Sequence, residues 1–130
     1  MQVRGSIPLV WTQKPNLQYN PRPKLQPHLN DQYKVSKKHF RELAEHYEAI
    51  HLLNLIDKRG SQKTMGEAYS QLFEAVKNPQ LHYTWFDFHH ECRGMHYEHL
   101  SKCVDEVKDF MAAAGWTRVG IYTQASMLQL

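Results

Sequence analysis

Long apolar runs are missing from this 130-residue sequence. Nowhere do about 18 consecutive apolar residues occur, so no bilayer-spanning helix is encoded. The opening stretch MQVRGSIPLVW carries one arginine and a short apolar run, without a long hydrophobic region or a small-residue cleavage site, so no secretory signal peptide is expected. Cysteine is scarce. Cys92 and Cys103 are too few for a disulfide framework, and their spacing fits neither CxxC nor a zinc ribbon, so reduced thiols in a cytosolic chain are expected. The phosphate-cradling GxxxxGK[ST] loop, zinc-finger spacings and the HExxH metalloprotease helix are absent as well. No nucleic-acid partner, metal site or cofactor is expected.

What is present suits one globular domain or a piece of a larger one, since domains typically run to about 100–150 residues. Hydrophobic residues make up 42% of the chain, enough for a single core. Sixteen basic against thirteen acidic residues give a formal charge of +3, a mild excess that favours anionic partners without specifying one. Lys34, Lys37, Lys38 and Arg41 gather near the start of a helical pattern. A solvated face and an anion-binding patch both fit that pattern, and lysines are mostly exposed in any fold.

Periodicity divides the chain. Ser6–Thr12 reads as a strand, followed by a stretch with prolines at Pro15, Pro21, Pro23 and Pro27 that can sustain neither a helix nor a central ladder. From Ser36, apolar Phe40, Leu43, Ala44 and Tyr47 recur at helical spacing, with Ser36 or Asp31 as N-terminal signals. Ala49–Ile56 is a short apolar run closed by the turn signal DKRGSQ, which predicts a buried strand. Met65, Ala68, Tyr69, Leu72, Phe73 and Val76 predict a second helix, stopped by Asn78–Pro79. Leu81–Phe88 predicts a third strand. Tyr97, Leu100, Val104, Val107, Phe110, Met111 and Ala114 form a further helical stripe closed by Gly115, and WTRVGIYT predicts a fourth strand. Strands alternating with helices predict an α/β fold with a mainly parallel sheet. In such sheets ligands bind beyond the carboxyl ends of the strands. FDFHHEC falls at such an end, as does TQKPN if the first strand runs parallel to the rest.

FDFHHECRGM packs unusual chemistry into ten positions. His82, His89, His90, His96 and His99 lie close in sequence to Asp87, Glu91 and Cys92, all residue types that bind zinc, but density alone does not make a site. Cys92, beside His90 and Arg93 in a loop entering a helix, has surroundings that could lower a thiol pKa. Cys103, in mid-helix, reads as buried and inert. Neither belongs to a phosphatase C-x5-R loop, because Glu98 stands six positions beyond Cys92 and Asp109 six beyond Cys103. Asp87 alternates with Phe86 and Phe88, so its carboxylate could point away from the core and pair with His89 for proton transfer. It could equally cap the following turn, while His89 hydrogen-bonds a backbone carbonyl.

Three segments in one order, VRGSIPLVWTQKPNLQYNPRP, HFRELAEHYEAIHLLNLIDKRGSQ and FDFHHECRGMHYEHLS, resemble the Sac-domain phosphoinositide phosphatases. The resemblance runs from about Gln2 to Ala114, leaving residues 115–130 as a divergent tail, and is strongest to the membrane-anchored branch that acts on phosphatidylinositol 4-phosphate in the endoplasmic reticulum and Golgi. It implies that the chain is an internal piece of a larger α/β Sac catalytic domain working on the cytosolic face of those membranes. It also implies a nucleophile in a C-x5-R-[ST] loop, which this sequence does not contain. The chain alone is therefore expected to be inactive and to depend on the remainder of the domain.

The same resemblance implies that Arg4, Gly5 and Ser6, matching an RGS motif, and Asp87, His89 and Glu91, matching DFHxEC, line a pocket for a phosphoinositide headgroup. Cys92 matches that pattern too, but not the nucleophile. Two other readings stand beside this one: a non-catalytic module that binds phosphoinositide or protein, and a fragment whose uncovered strand edges keep it from folding well.

Overall fold

A computed structural model describes residues 2–17 and 21–115. The expected fourth strand, 116–123, lies outside them.

The centre of the molecule is a βαβ unit. Strand β3, Ile50–Asn54, and strand β4, Leu81–Trp85, pair in parallel, with Ile50 opposite Leu81 and Asn54 opposite Trp85. Parallel neighbours need a crossover. Helix α2, Lys63–Val76, provides it, entered through a 3-10 turn at Gly60–Gln62. Lys77 ends the helix in the left-handed region, at φ 47°. The Asn78 side chain then accepts the Gln80 N–H at 2.9 Å while its carbonyl accepts the Leu81 N–H at 3.1 Å, so the turn that stops α2 also starts β4.

Because strand side chains alternate between faces, Ile50, Leu52, Leu81 and Tyr83 point together into the main core. There they meet Met65, Tyr69 and Leu72 of α2 and Phe40 of helix α1, Leu29–His46. Tyr83 stands edge-on to Tyr69 at 5.3 Å and stacks on Phe73 at 5.2 Å. Its hydroxyl accepts hydrogen bonds from Asn54 Nδ2 at 2.9 Å and Ser70 Oγ at 3.0 Å, which allows a phenol to sit inside. Burial, and secondarily Tyr83, pushes the Tyr69 phenol well above its ordinary pKa.

Helix α1 starts earlier than the periodicity suggested. It begins at Leu29, just after Pro27 and His28, with Asp31 in its first turn where the helix dipole favours a negative charge. Ser36 is not its cap: it lies fully buried in mid-helix, where its hydroxyl donates to the Pro8 carbonyl at 2.6 Å. Gln32, one turn earlier, brackets Val10. Its Oε1 accepts the Val10 N–H at 2.6 Å, and its Nε2 donates to the carbonyls of Val10 at 2.9 Å and Gln26 at 3.0 Å.

These side chains correct the reading of the N-terminal strand. Only Trp11–Thr12 (β1) is strand, and it pairs antiparallel with Lys24–Leu25 (β2) from the proline-rich stretch, in a sheet separate from β3–β4. The segment before β1 is held mainly by the Ser36 and Gln32 side chains, with the Gln26 N–H just after β2 donating to the Val10 carbonyl at 3.0 Å. Prolines at 21, 23 and 27 leave room for a two-residue ladder between them and no longer one. TQKPN therefore does not join the carboxyl end of the parallel pair.

On the opposite face of β3–β4 lies helix α4, Leu100–Ala114, ended by Gly115 at φ 70°. It starts later than expected, because Tyr97–His99 forms a separate 3-10 turn. Its packed side is also rotated from the expected stripe. Cys103 is buried and Val107 and Phe110 are half-buried, whereas Leu100, Val104 and Met111 are exposed at 37%, 57% and 56%. Among the described residues no helix is long and apolar enough to cross a membrane.

Gly66 sets the closeness of α2 to β4. A Cβ there would fall 2.2 Å from Cζ2 of Trp85, whose indole N–H is committed to the Ile56 carbonyl at 2.8 Å. Overpacking of this kind costs about 1–3 kcal/mol, while alanine returns about 1 kcal/mol of helix propensity. Gly66→Ala should thus lower the urea midpoint followed by tryptophan fluorescence, by a net loss of up to about 2 kcal/mol. An unchanged midpoint would mean that the indole is free to swing aside. Gln32→Ala should cost about 1–3 kcal/mol in the same titration, because it leaves the Val10 N–H and carbonyl without the amide that brackets them.

Candidate functional site

Both strands of the parallel pair end in loops that turn to the same side. After Asn54 the chain runs through Asp57, Lys58 and Arg59. After Trp85 it runs through Phe86 and Asp87 into the single-turn helix α3, Phe88–Glu91. Asn54 Oδ1 accepts the Ile56 N–H at 3.2 Å, and Gln62 Oε1 accepts the Asp57 N–H at 3.2 Å, so side chains shape the first loop.

Asp87 ties the two loops together. It is 6% exposed. One carboxylate oxygen accepts the His90 N–H at 3.1 Å and caps α3, and the other accepts the Lys58 N–H at 2.9 Å across the gap. Of the two roles left open for this residue, the geometry is that of the cap, with a cross-loop tie added. The aromatic pair around it splits: Phe86 is buried with Cys92 and Cys103, while Phe88 packs against that cluster from the first residue of α3.

Beyond Asp87 opens a groove of about 260 Å³. Trp85 and Phe86 contribute its apolar surface, Lys58, Arg59 and His90 one set of polar groups, and Glu91 with Lys102 and Glu106 of α4 another. The Lys58 ammonium lies 5.7 Å over the Trp85 ring, a cation–π contact that holds it at the lip. Lys102 Nζ donates to Glu91 Oε2 at 2.8 Å, joining α3 to α4. That hydrogen bond is the main reason the Glu91 carboxyl sits below its ordinary pKa of 4.5; burial opposes it, while the charges of Lys102, His90 and His99 add to it. The Glu91–Lys102 contact is accordingly complete at neutral pH and lost only as acid protonates Glu91 below pH 4.5.

Of the six residues implied by the family resemblance, Asp87 and Glu91 line this groove. His89 does not: its Nδ1 lies 2.7 Å from Asp57 Oδ1 on the exposed side of the loop. Arg4, Gly5 and Ser6 are exposed on the segment leading to Ile7 and are not part of the groove wall, and a Cβ on Gly5 would meet nothing within 4 Å. Cys92 is 7% exposed, packed with Phe86 and Cys103, and does not line the groove. Burial, then Glu106 and Cys92, pushes the Cys103 thiol above its ordinary value. Two other histidines of the cluster have partners of their own. His96 Nδ1 is 2.7 Å from Glu98 Oε1, and His99 Nδ1 donates to the Glu91 carbonyl at 2.5 Å.

Lys58, Arg59, Trp85, Lys102 and Glu106 were not singled out from the sequence. A signal for two of them existed. The rule that ligands gather beyond strand carboxyl ends applies to the first parallel strand as well as the second, and Lys58–Arg59 directly follows it. Lys102 and Glu106 carry no comparable sequence signal, because only the docking of α4 brings them here.

The SacI homology domain family matches residues 1–93 of the chain. Similar proteins include the phosphatidylinositide phosphatase SAC2 of Danio rerio, 34% identical over 119 residues, which is 92% of this chain and 10% of that protein. The phosphatidylinositol-3-phosphatase SAC1 of Saccharomyces cerevisiae is 35% identical over 108 residues, 83% of this chain and 17% of that protein. That of Drosophila melanogaster is 38% identical over 107 residues, 82% and 18% respectively. The chain thus spans between a tenth and a fifth of the length of these relatives. A family match over most of the chain, laid on an α/β fold with its groove beyond a parallel strand pair, establishes that this chain belongs to the SacI homology domain family.

Proposed function

We propose that the chain forms part of the catalytic domain of a phosphoinositide phosphatase and supplies the floor and one wall of its headgroup pocket. The attacking thiolate would come from a C-x5-R-[ST] loop that this sequence does not contain. In the assembled enzyme that thiolate would attack phosphorus as the P–O bond to inositol breaks, the leaving oxygen taking a proton from an acid of the completed site or from water. Water would then attack the cysteinyl-phosphate, releasing phosphate and restoring the thiolate. The observation that supports this reading most is the position of the groove at the carboxyl ends of β3 and β4, with Lys58 and Arg59 at its lip. A phosphomonoester dianion is best met by a planar guanidinium and ammonium groups, and among the described residues Arg59 has no ion-pair partner of its own.

In this proposal Asp87 positions and does not react, since both its oxygens are occupied by backbone N–H groups. Glu91 holds Lys102 against α3. Arg4, Gly5, Ser6 and His89 stand outside the groove and enter as exposed groups available to the assembled domain. The 4-phosphate isomer and the cytosolic face of endoplasmic reticulum and Golgi membranes belong to the same proposal and rest on the resemblance in three motifs. The SAC1 relatives are named phosphatidylinositol-3-phosphatases, so both isomers belong in the test. The second reading, a binding module without chemistry, draws on the same cations, Lys58 and Arg59, at the groove.

Incubated with vesicles containing phosphatidylinositol 4-phosphate or 3-phosphate, the chain alone should release no phosphate, because loss of a nucleophile costs about 10⁶-fold in comparable hydrolases. Turnover that disappears in Cys92→Ser would overturn the proposal. Binding to the same vesicles should weaken with salt and be stronger for the 4-phosphate. Arg59→Ala should reduce it about fivefold, the equivalent of the ~1 kcal/mol contributed by one basic residue near an anionic surface, with no change in Tm. Asp87→Ala should instead lower Tm and binding together, because it releases both loops.

A further inference from the structure

The face of the β3–β4 pair that α4 covers is not apolar. His51 and His82 stand opposite each other in the parallel register, with their rings 6.2 Å apart and 16° from parallel. Phe110 of α4 lies against both, its centroid 5.0 Å from His51 and 5.1 Å from His82. His51 Nε2 lies 3.0 Å from Thr84 Oγ1, and its Nδ1 is buried without a hydrogen-bond partner among the described residues. The other half of α4 is held differently, by Cys103 against Phe86 and Cys92 and by Lys102 on Glu91.

An uncharged imidazole suits this position, and an imidazolium does not. The neutral ring can donate from Nε2 to the Thr84 hydroxyl and leave a bare lone pair at Nδ1. The cation would have to bury an Nδ1–H with no acceptor, beside a second imidazole and under a phenyl ring. The titratable groups facing His51 are His82 on β4 and Glu106 on α4. Burial first, and His82 second, hold the His51 pKa below its ordinary 6.5, and the Glu106 carboxylate opposes them only in part. We infer that the His51–His82–Phe110 stack is a pH-sensitive latch: closed at neutral pH, it releases the C-terminal half of α4 when His51 is protonated.

Because the closed form binds the His51 proton less readily than the open form, it is fully favoured above pH 6.5 and loses stability as the pH falls below that value. One proton is taken up on opening, so the opening constant rises by up to about tenfold per pH unit within that window. Glu106 both faces His51 and lines the groove, immediately before the released residues 107–114. The inference rests on the packing of α4 and holds whatever ligand the groove takes.

Hydrogen–deuterium exchange on the full chain between about pH 7.5 and pH 5, corrected for intrinsic exchange, tests it. Amides of residues 107–114 should lose protection below pH 6.5 by up to about tenfold per unit, while those of α2 stay unchanged. His51→Phe and His51→Gln, two neutral replacements of different shape, should each abolish the acid-induced loss. The inference is overturned by a profile for 107–114 that is flat in the unmodified chain, by absence of protection already at neutral pH, or by the same acid loss persisting in both variants.

Discussion

Asp87 is the constraint on which the groove depends. Strands β3 and β4 end side by side, and nothing in a two-stranded ladder dictates how the loops beyond them are arranged. One carboxylate bonded to the Lys58 N–H on one side and the His90 N–H on the other decides it. Hydrogen bonds to a charged group contribute about 1.5–3 kcal/mol each, and both are made in one nearly inaccessible place. The cation-bearing loop and the histidine-bearing turn are thereby held facing each other, and the space between them is the groove.

Around that tie the two faces of the parallel pair are built on different physics. The inner face is aliphatic and aromatic, packed against α1 and α2 through Phe40, Tyr69 and Leu72, and its few polar atoms are satisfied around the Tyr83 hydroxyl. The outer face is polar, and α4 meets it through an aromatic ring laid on two imidazoles at one end and a small sulfur-containing cluster at the other. The larger apolar side chains Leu100, Val104 and Met111 remain on the solvent side of that helix. The first attachment depends on buried area and is indifferent to pH. The second depends on the charge state of a ring.

Much of the βαβ unit was legible because its signals are local. The apolar spacing from Met65 to Val76, the Asn78–Pro79 stop and the two short apolar runs on either side each specify their element without reference to distant residues. The N-terminal region was misread for the opposite reason. Ser6–Thr12 has strand composition, but its backbone is claimed by Ser36 and Gln32, twenty-eight and twenty-two positions away from Pro8 and Val10. The stripe on α4 was misread because a helix with apolar residues on more than one side does not announce which side will be covered.

The sequence by itself determined the central strand–helix–strand unit, the family, and the segment after the second parallel strand as chemically unusual, because these rest on residue type and short-range spacing. Only the tertiary structure decided that Asp87 binds backbone and not His89, that Cys92 is sealed beneath Phe86, and that Lys102 and Glu106 face Lys58 and Arg59. Those outcomes depend on which loop and which helix face arrive beside a given side chain. No periodicity within one segment encodes the arrival of another.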